Sequence, residues 1–215
     1  NLDKLWIARF SPDGTRLLVT SLSGEGRILD ARNGEILARL TVDTDEPGIM
    51  RGGCFSPDGT RVAATLSDKT VRVWDSATGT LESTFRLNSI PYDLDFTPDG
   101  AHMAVALVTP GEAVLCDSRT GAMVRTFDGH KDVCYSVAIS PNGQKLVTTS
   151  RDRRIRVFNL HSSEAVQTFF WPGNRPNQAI FSPDGTMIAV ATEGGACLFY
   201  DLRSGEMLGR ADAAP

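Results

Sequence analysis

At 215 residues the chain can bury one sizeable core, or five small units sharing one. Hydrophobic residues make up 41% and charged residues 22%, and no apolar run reaches the roughly twenty residues of a bilayer-crossing helix, so no membrane span is expected. The net charge of -4 argues against sequence-independent nucleic-acid binding, which needs a basic face, and no direct nucleic-acid contact is expected.

The first unit, residues 1–42, sets the pattern: Phe10 is followed by Ser11-Pro12-Asp13-Gly14, and a later strand ends at Leu29-Asp30 before Arg32-Asn33-Gly34. Proline presets φ for the second turn position, and glycine takes the position that needs positive φ. The loop that follows carries Asp43, Asp45 and Glu46; calcium needs more converging oxygens than this spacing offers, so a solvated loop is expected.

The second unit, residues 49–87, is the clearest. Residues 51–56 lead into Ser56-Pro57-Asp58-Gly59, and Arg61 to Thr65 reads as a second strand. Thr70 to Trp74 alternates β-branched or aromatic residues with polar ones, the period-2 signature of a strand. Asp75-Ser76-Ala77-Thr78-Gly79 makes another turn, and Thr80 to Leu87 supplies a fourth strand.

The third unit (90–128), fourth (131–170) and fifth (175–210) follow the same plan. Their turns are Thr97 to Gly100, Ser140 to Gly143 and Ser182 to Gly185, and their third strands end at Cys116-Asp117, Phe158-Asn159 and Tyr200-Asp201. The fourth unit alone lacks the glycine of the later turn, reading His161-Ser162-Ser163. Second strands are rich in small residues (Ala63, Ala64, Ala104, Ala106, Thr148, Thr149, Ala189, Ala191), which suits sheets that converge where space is short. No stretch has an apolar period near 3.6, so essentially no helix is expected.

The aspartate or asparagine of the first turn falls at 13, 58, 99, 142 and 184, giving steps of 45, 41, 43 and 42 residues. A fixed period near forty means an array of identical supersecondary units. Four short antiparallel strands per period describe a blade, and the expected fold is all-β, a β-propeller of four-stranded antiparallel blades. Five blades are visible; they either close as five or form part of a larger, seven-bladed propeller.

Charge is unevenly distributed. Residues 1–130 hold 13 Lys/Arg against 18 Asp/Glu, and residues 131–215 hold 9 against 8. Cys54, Cys116, Cys134 and Cys197 show no CxxC pairing and lie in apolar stretches, so buried reduced thiols are expected rather than a metal site. Reduced thiols and the lack of an Asn-x-Ser/Thr acceptor point to cytosol or nucleus.

These residues resemble the WD-repeat β-propellers. Trp74-Asp75 is the name-giving dipeptide, Gly129-His130 matches the Gly-His that opens such a repeat, and the two turn types recur in nearly every unit. The resemblance implies a buried relay of His, a strand Ser/Thr, a turn Asp and Trp within a blade. His130, Thr149 or Ser150, and Asp152 match it in the fourth unit, with Phe158 where Trp is expected, and the second unit keeps Asp68 and Trp74 without a Gly-His. No blade has the full relay, and His130 reads as a structural hydrogen-bonder, not a catalytic base.

The working surface of such a fold is expected on the loops Val42–Ile49, Asn88–Tyr92, Gly129–Asp132 and Trp171–Asn177 and on the shorter loops after each second strand. Lys131, Arg151, Arg153 and Arg175 join Trp171 on neighbouring loops of the fourth and fifth units. Arginine and tryptophan are the commonest interface anchors, so this group is the candidate partner site, fitted to an acidic or phosphorylated protein segment. The competing reading is a solvated rim with Trp171 packed between blades.

The expected function is a non-catalytic interaction platform within a larger assembly, with no cofactor and no catalytic residue. No phosphate loop and no Gly-x-Ser-x-Gly elbow occurs. The alternative is a ligand-binding or enzymatic propeller of lactonase or quinoprotein-subunit type. Ile90-Pro91-Tyr92-Asp93 before the third turn resembles those repeats, while His102, His130 and His161 fall at unrelated places.

Overall fold

The computed structural model describes residues 4–40, 42 and 48–212. Every regular element among them is a strand, and twenty strands form five four-stranded sheets, each taken up consecutively along the chain. Blade one is β1 (Leu5–Phe10), β2 (Arg16–Ser21), β3 (Gly26–Asp30) and β4 (Ile36–Leu40), and blade two is β5 (Met50–Phe55), β6 (Arg61–Leu66), β7 (Thr70–Asp75) and β8 (Leu81–Arg86). Blade three is β9 (Pro91–Phe96), β10 (His102–Leu107), β11 (Ala113–Asp117) and β12 (Met123–Phe127). Blade four is β13 (Cys134–Ile139), β14 (Lys145–Ser150), β15 (Arg154–Asn159) and β16 (Ala165–Phe170), and blade five is β17 (Pro176–Phe181), β18 (Met187–Thr192), β19 (Ala196–Asp201) and β20 (Met207–Asp212). This is the β-propeller blade plan, and the strands expected in the second unit lie within a residue or two of those found. Asp43, Asp45 and Glu46 lie outside the described residues.

The described residues divide into two compact units, those within 1–103 and 116–122 and those within 104–115 and 123–215. In the first, Leu18 and Ile28 of blade one pack against Met50, Val62, Leu66 and Trp74 of blade two, all fully buried. In the second, Val147, Ile155 and Val157 of blade four meet Ile188, Val190 and Leu198 of blade five. Both faces of an inner blade are apolar, so its stability comes from its neighbours as much as from its own ladder.

The turn between the first and second strands is built the same way five times. In blade two the Ser56 hydroxyl donates to Asp58 Oδ1 (2.6 Å), and the Thr60 amide and hydroxyl donate to the same oxygen (3.0 and 2.9 Å). The Arg61 amide closes the turn onto Ser56 Oγ at 3.0 Å, and Gly59 sits at φ 70°, where a Cβ costs energy. The Ser/Thr hydroxyl bond and the amide bond recur at Asp13, Asp99, Asn142 and Asp184, while the second hydroxyl donor recurs only at Thr15 and Thr186. The second turn is held by Asp75 Oδ1, which accepts from the Ala77 and Thr78 amides and the Thr78 hydroxyl.

Polar staples join the blades. The Arg16 guanidinium lies over Phe55 (5.2 Å) and donates to Gly59 O and Ser76 Oγ, both at 2.8 Å. Second-strand threonines donate to the next blade's first strand, Thr65 to Tyr92 O (3.2 Å) and Thr149 to Asn177 O (3.1 Å). The small second-strand residues Ala63, Ala64, Ala104 and Ala106 are fully buried. In blade five the rule fails: Ala189 is half-buried and Ala191 exposed. The four cysteines are free, but only Cys54, Cys116 and Cys134 are buried; Cys197 is half-buried.

Hydrogen bonds from Ser11 and Thr15 lower the exposed Asp13 carboxyl to about 2, and the same serine or threonine donors lower Asp58, Asp99 and Asp184. Groups depressed in the folded state stabilise it above their unfolded value, and that stabilisation is lost as pH falls toward the folded value. The thermal midpoint is therefore expected to hold steady above pH ~5 and to drop between about 4 and about 2. Asp58→Asn, which copies the fourth turn's Asn142, is expected to remove its turn's share of that slope in a midpoint-against-pH titration.

Ser163 stands at φ 62° where Gly34, Gly79, Gly121 and Gly205 occupy the matching turn position in other blades. The left-handed conformation costs a non-glycine residue about 1 kcal/mol. Ser163→Gly is expected to raise the midpoint by roughly 2–4 °C in differential scanning fluorimetry, the scale of one such increment in a chain of this size.

Candidate functional site

The loops of blades four and five stand on a buried hydrogen-bonded support. His130 Nε2 meets Thr148 Oγ1 at 2.7 Å, and Nδ1 meets Asp152 at 3.1 Å, with both the histidine and aspartate side chains almost fully buried. Asp152 also accepts from the Lys131 amide (3.1 Å) and the Arg154 amide (2.9 Å). Burial pushes the Asp152 carboxyl up, but the His130 contact and the two amides together outweigh it and hold it at about 2. The relay partner is Thr148, not Thr149 or Ser150. Side chains alternate along β14, so Thr149 faces blade five and Ser150 Oγ turns to Asp132 O (3.0 Å). Phe158 replaces the expected Trp and meets Phe127 edge-on at 5.5 Å.

With Thr148 at 1% and His130 at 8% exposure, this His-Thr-Asp set is largely closed off from solvent beneath the loops. In blade two, which lacks the histidine, the buried Arg72 takes the role of partner and donates to Asp68 Oδ2 at 2.8 Å.

Four of the five residues expected at the site come together around this support. Lys131 is anchored by its backbone to Asp152, Arg151 lies 3.9 Å from Asp132, and the Arg153 carbonyl accepts from the Trp171 amide at 3.0 Å. Lys131, Arg151 and Arg153 are exposed, and Arg153 is held at φ 65°. Trp171 is half-buried: it packs against the core of blades four and five, and the Arg210 guanidinium covers its ring at 5.3 Å. Arg175 is engaged elsewhere. It lies over Tyr135 (5.2 Å), donates to the Tyr135 hydroxyl (3.1 Å) and pairs with Glu193 (2.8 Å).

Tyr135 and Arg210 escape a reading by loops because both lie on strands. A β-bulge interrupts the first strand of blades one, two, four and five, at Trp6, at Arg51-Gly52, at Tyr135 and at Asn177. A bulge re-aims the side chain it carries. In the first unit Trp6, 46% exposed, meets Tyr92 at 6.5 Å, and Arg51 lies over the same Tyr92 ring at 5.1 Å. The signal was present in the repeat: Trp6, Arg51, Tyr92 and Tyr135 each stand four residues before Phe10, Phe55, Phe96 and Ile139.

Loss of the Asp152 carboxylate leaves His130 Nδ1 and two backbone amides without their acceptor. Asp152→Ala is expected to cost about 2–3 kcal/mol, lowering the midpoint by roughly 5–10 °C, measured by circular dichroism melts.

Residues 48–75 and 121–159 match the model of the WD domain, G-beta repeat. Among curated proteins the chain is similar to autophagy-related protein 16 of Arabidopsis thaliana, 28% identical over 136 residues, covering 61% of this chain and 26% of the relative. It is also similar to eukaryotic translation initiation factor 3 subunit I of Coccidioides immitis, 29% identical over 102 residues, covering 44% of this chain and 30% of the relative. The same subunit of Aspergillus terreus is 33% identical over 73 residues, covering 34% of this chain and 21% of the relative. The aligned part of the chain thus spans between a fifth and a third of the length of these relatives. Blade plan, turn spacing and repeat matches agree with one another and support a WD-repeat β-propeller for this chain.

Proposed function

We propose that the chain is a non-catalytic platform that holds partner proteins in a larger assembly, and that the loops of blades four and five carry a partner site. The observation behind this is the grouping of three exposed cations, Lys131, Arg151 and Arg153, beside the half-buried Trp171, on loops held from beneath by the His130–Asp152–Thr148 relay. A rigid base beneath cationic loops lowers the ordering cost of binding, and arginine offers paired donors to a carboxylate or phosphate. The partner is an acidic or phosphorylated protein segment. Similarity to a protein named as a subunit of an initiation factor supports a role within a complex.

Binding to arrays of acidic and phosphorylated peptides tests the reading. Arg151→Ala with Trp171→Ala is expected to weaken the best binders at least tenfold, about 1.4 kcal/mol, while the midpoint falls by no more than a few degrees. A large fall in the midpoint would show that Trp171 acts as core, and unchanged binding would remove these loops from the partner site.

A further inference from the structure

The fourth strand of each blade is an edge of its sheet, bonded to one neighbouring strand among the described residues. Such an edge is a template for another strand, and proteins guard it with charged side chains. Four of the five edges carry that guard: Arg39 on β4, Glu82 and Arg86 on β8, Arg125 on β12, and Arg210 and Asp212 on β20. β16 reads Ala165-Val166-Gln167-Thr168-Phe169-Phe170 and carries no charge. Phe170 is 56% exposed, and its register position holds Arg86 in β8 and Asp212 in β20.

The ladder shows which groups of this edge face outward. The Trp171 amide donates to Arg153 O, one step beyond the Phe170–Arg154 pair. Antiparallel pairs alternate between bonded and non-bonded, so the main chain of Phe169 faces Ile155, while the N–H and C=O of Thr168 and Phe170 point away from β15. Side chains alternate too, and Thr168 and Phe170 share a face with Arg156 and Arg154. The Arg154 guanidinium lies over the Phe170 ring at 5.8 Å, and Arg156 donates to Thr168 Oγ1 at 3.2 Å. Neither arginine forms an ion pair among the described residues. The edge thus offers open main-chain groups beside two guanidinium groups that lack a carboxylate.

We infer that β16 receives an extended segment of a partner protein as a fifth, antiparallel strand of blade four, with acidic side chains on the arginine face. This rests on the partner-site reading and specifies how the segment is held. Main-chain bonds to Thr168 and Phe170 supply affinity, and alternate side chains supply specificity. Charge complementarity selects the occupant: a strand with acidic residues at alternate positions brings them to Arg154 and Arg156. A second copy of β16 has no carboxylate to offer these arginines. Continuity selects the same occupant, because β16 runs directly into Trp171, whose amide is bonded to Arg153 O. A segment lying along the edge therefore continues to the exposed Arg151 and Arg153.

Main-chain pairing has a signature that charge alone does not produce. The probe is a labelled octapeptide of alternating valine and glutamate, read by fluorescence anisotropy beside two N-methylated forms. In an antiparallel fifth strand, the residues on the arginine face are those whose amides meet β16. N-methylation of the glutamates is therefore expected to weaken binding roughly tenfold, and N-methylation of the valines to leave it unchanged. Thr168→Pro removes an outward N–H at an edge position that accepts proline. It is expected to weaken the unmethylated peptide roughly tenfold, with the circular dichroism melt preserved. If that variant fails to fold, the two methylated peptides decide. No binding of the unmethylated peptide, equal binding of both methylated forms, or full binding by folded Thr168→Pro overturns the inference. So does a dimer in sedimentation velocity that Thr168→Pro abolishes, which makes a second copy the occupant. Acidic peptides that are lost with Arg151→Ala and Trp171→Ala but are indifferent to Thr168→Pro overturn this inference and leave the partner site standing.

Discussion

A four-stranded sheet with two apolar faces cannot stand alone in water, and everything else in this molecule answers to that constraint. Burial of Leu18 and Ile28 against Val62 and Trp74, and of Val147 and Val157 against Ile188 and Val190, is the dominant favourable term. The turns and staples fix where that burial happens. Arg16 does both: it covers Phe55 with its guanidinium plane and satisfies Gly59 O and Ser76 Oγ across the same junction. A lysine in its place would keep the charge and lose the paired geometry.

Local chemistry was the most legible part of the sequence. Serine, proline, aspartate and glycine in that order dictate a turn through hydrogen bonds that span only six residues, and the structure repeats those bonds at all five sites. The relay was read one or two residues off, at Thr149 or Ser150 instead of Thr148. Which side chain of β14 faces His130 depends on strand parity, and β13 pairs with β14 through a bulge between Cys134 and Ser136 that counting along the sequence does not reveal. The same irregularity hid Tyr135, and so the interaction that draws Arg175 away from Arg151 and Arg153. Ala191 misled for another reason. A small residue signals a close neighbour only if that neighbour is there, and position in a repeat carries no information about whether it is.

The candidate partner site combines a buried, hydrogen-bonded base with an exposed cationic edge. His130, Asp152 and Thr148 are buried and mutually satisfied, whereas Lys131, Arg151 and Arg153 extend into solvent from the same loops. Long cationic side chains on a fixed backbone adapt to a range of acidic segments at little cost in backbone ordering. Trp171 sits at the boundary between these regimes, packed against the core and covered by the Arg210 guanidinium.

Blades two to five each carry one cysteine within a strand, Cys54, Cys116, Cys134 and Cys197. Burial raises the Cys116 thiol to about 11 and pushes Cys54 well above its ordinary value, so neither offers a thiolate while its sheet is closed. Reaction with an alkylating agent then has to wait for the strand around the thiol to open. The chain thereby contains a built-in clock for blades two, three and four, whose thiols are buried, in which the order of labelling reports the order in which the sheets breathe, without any introduced probe.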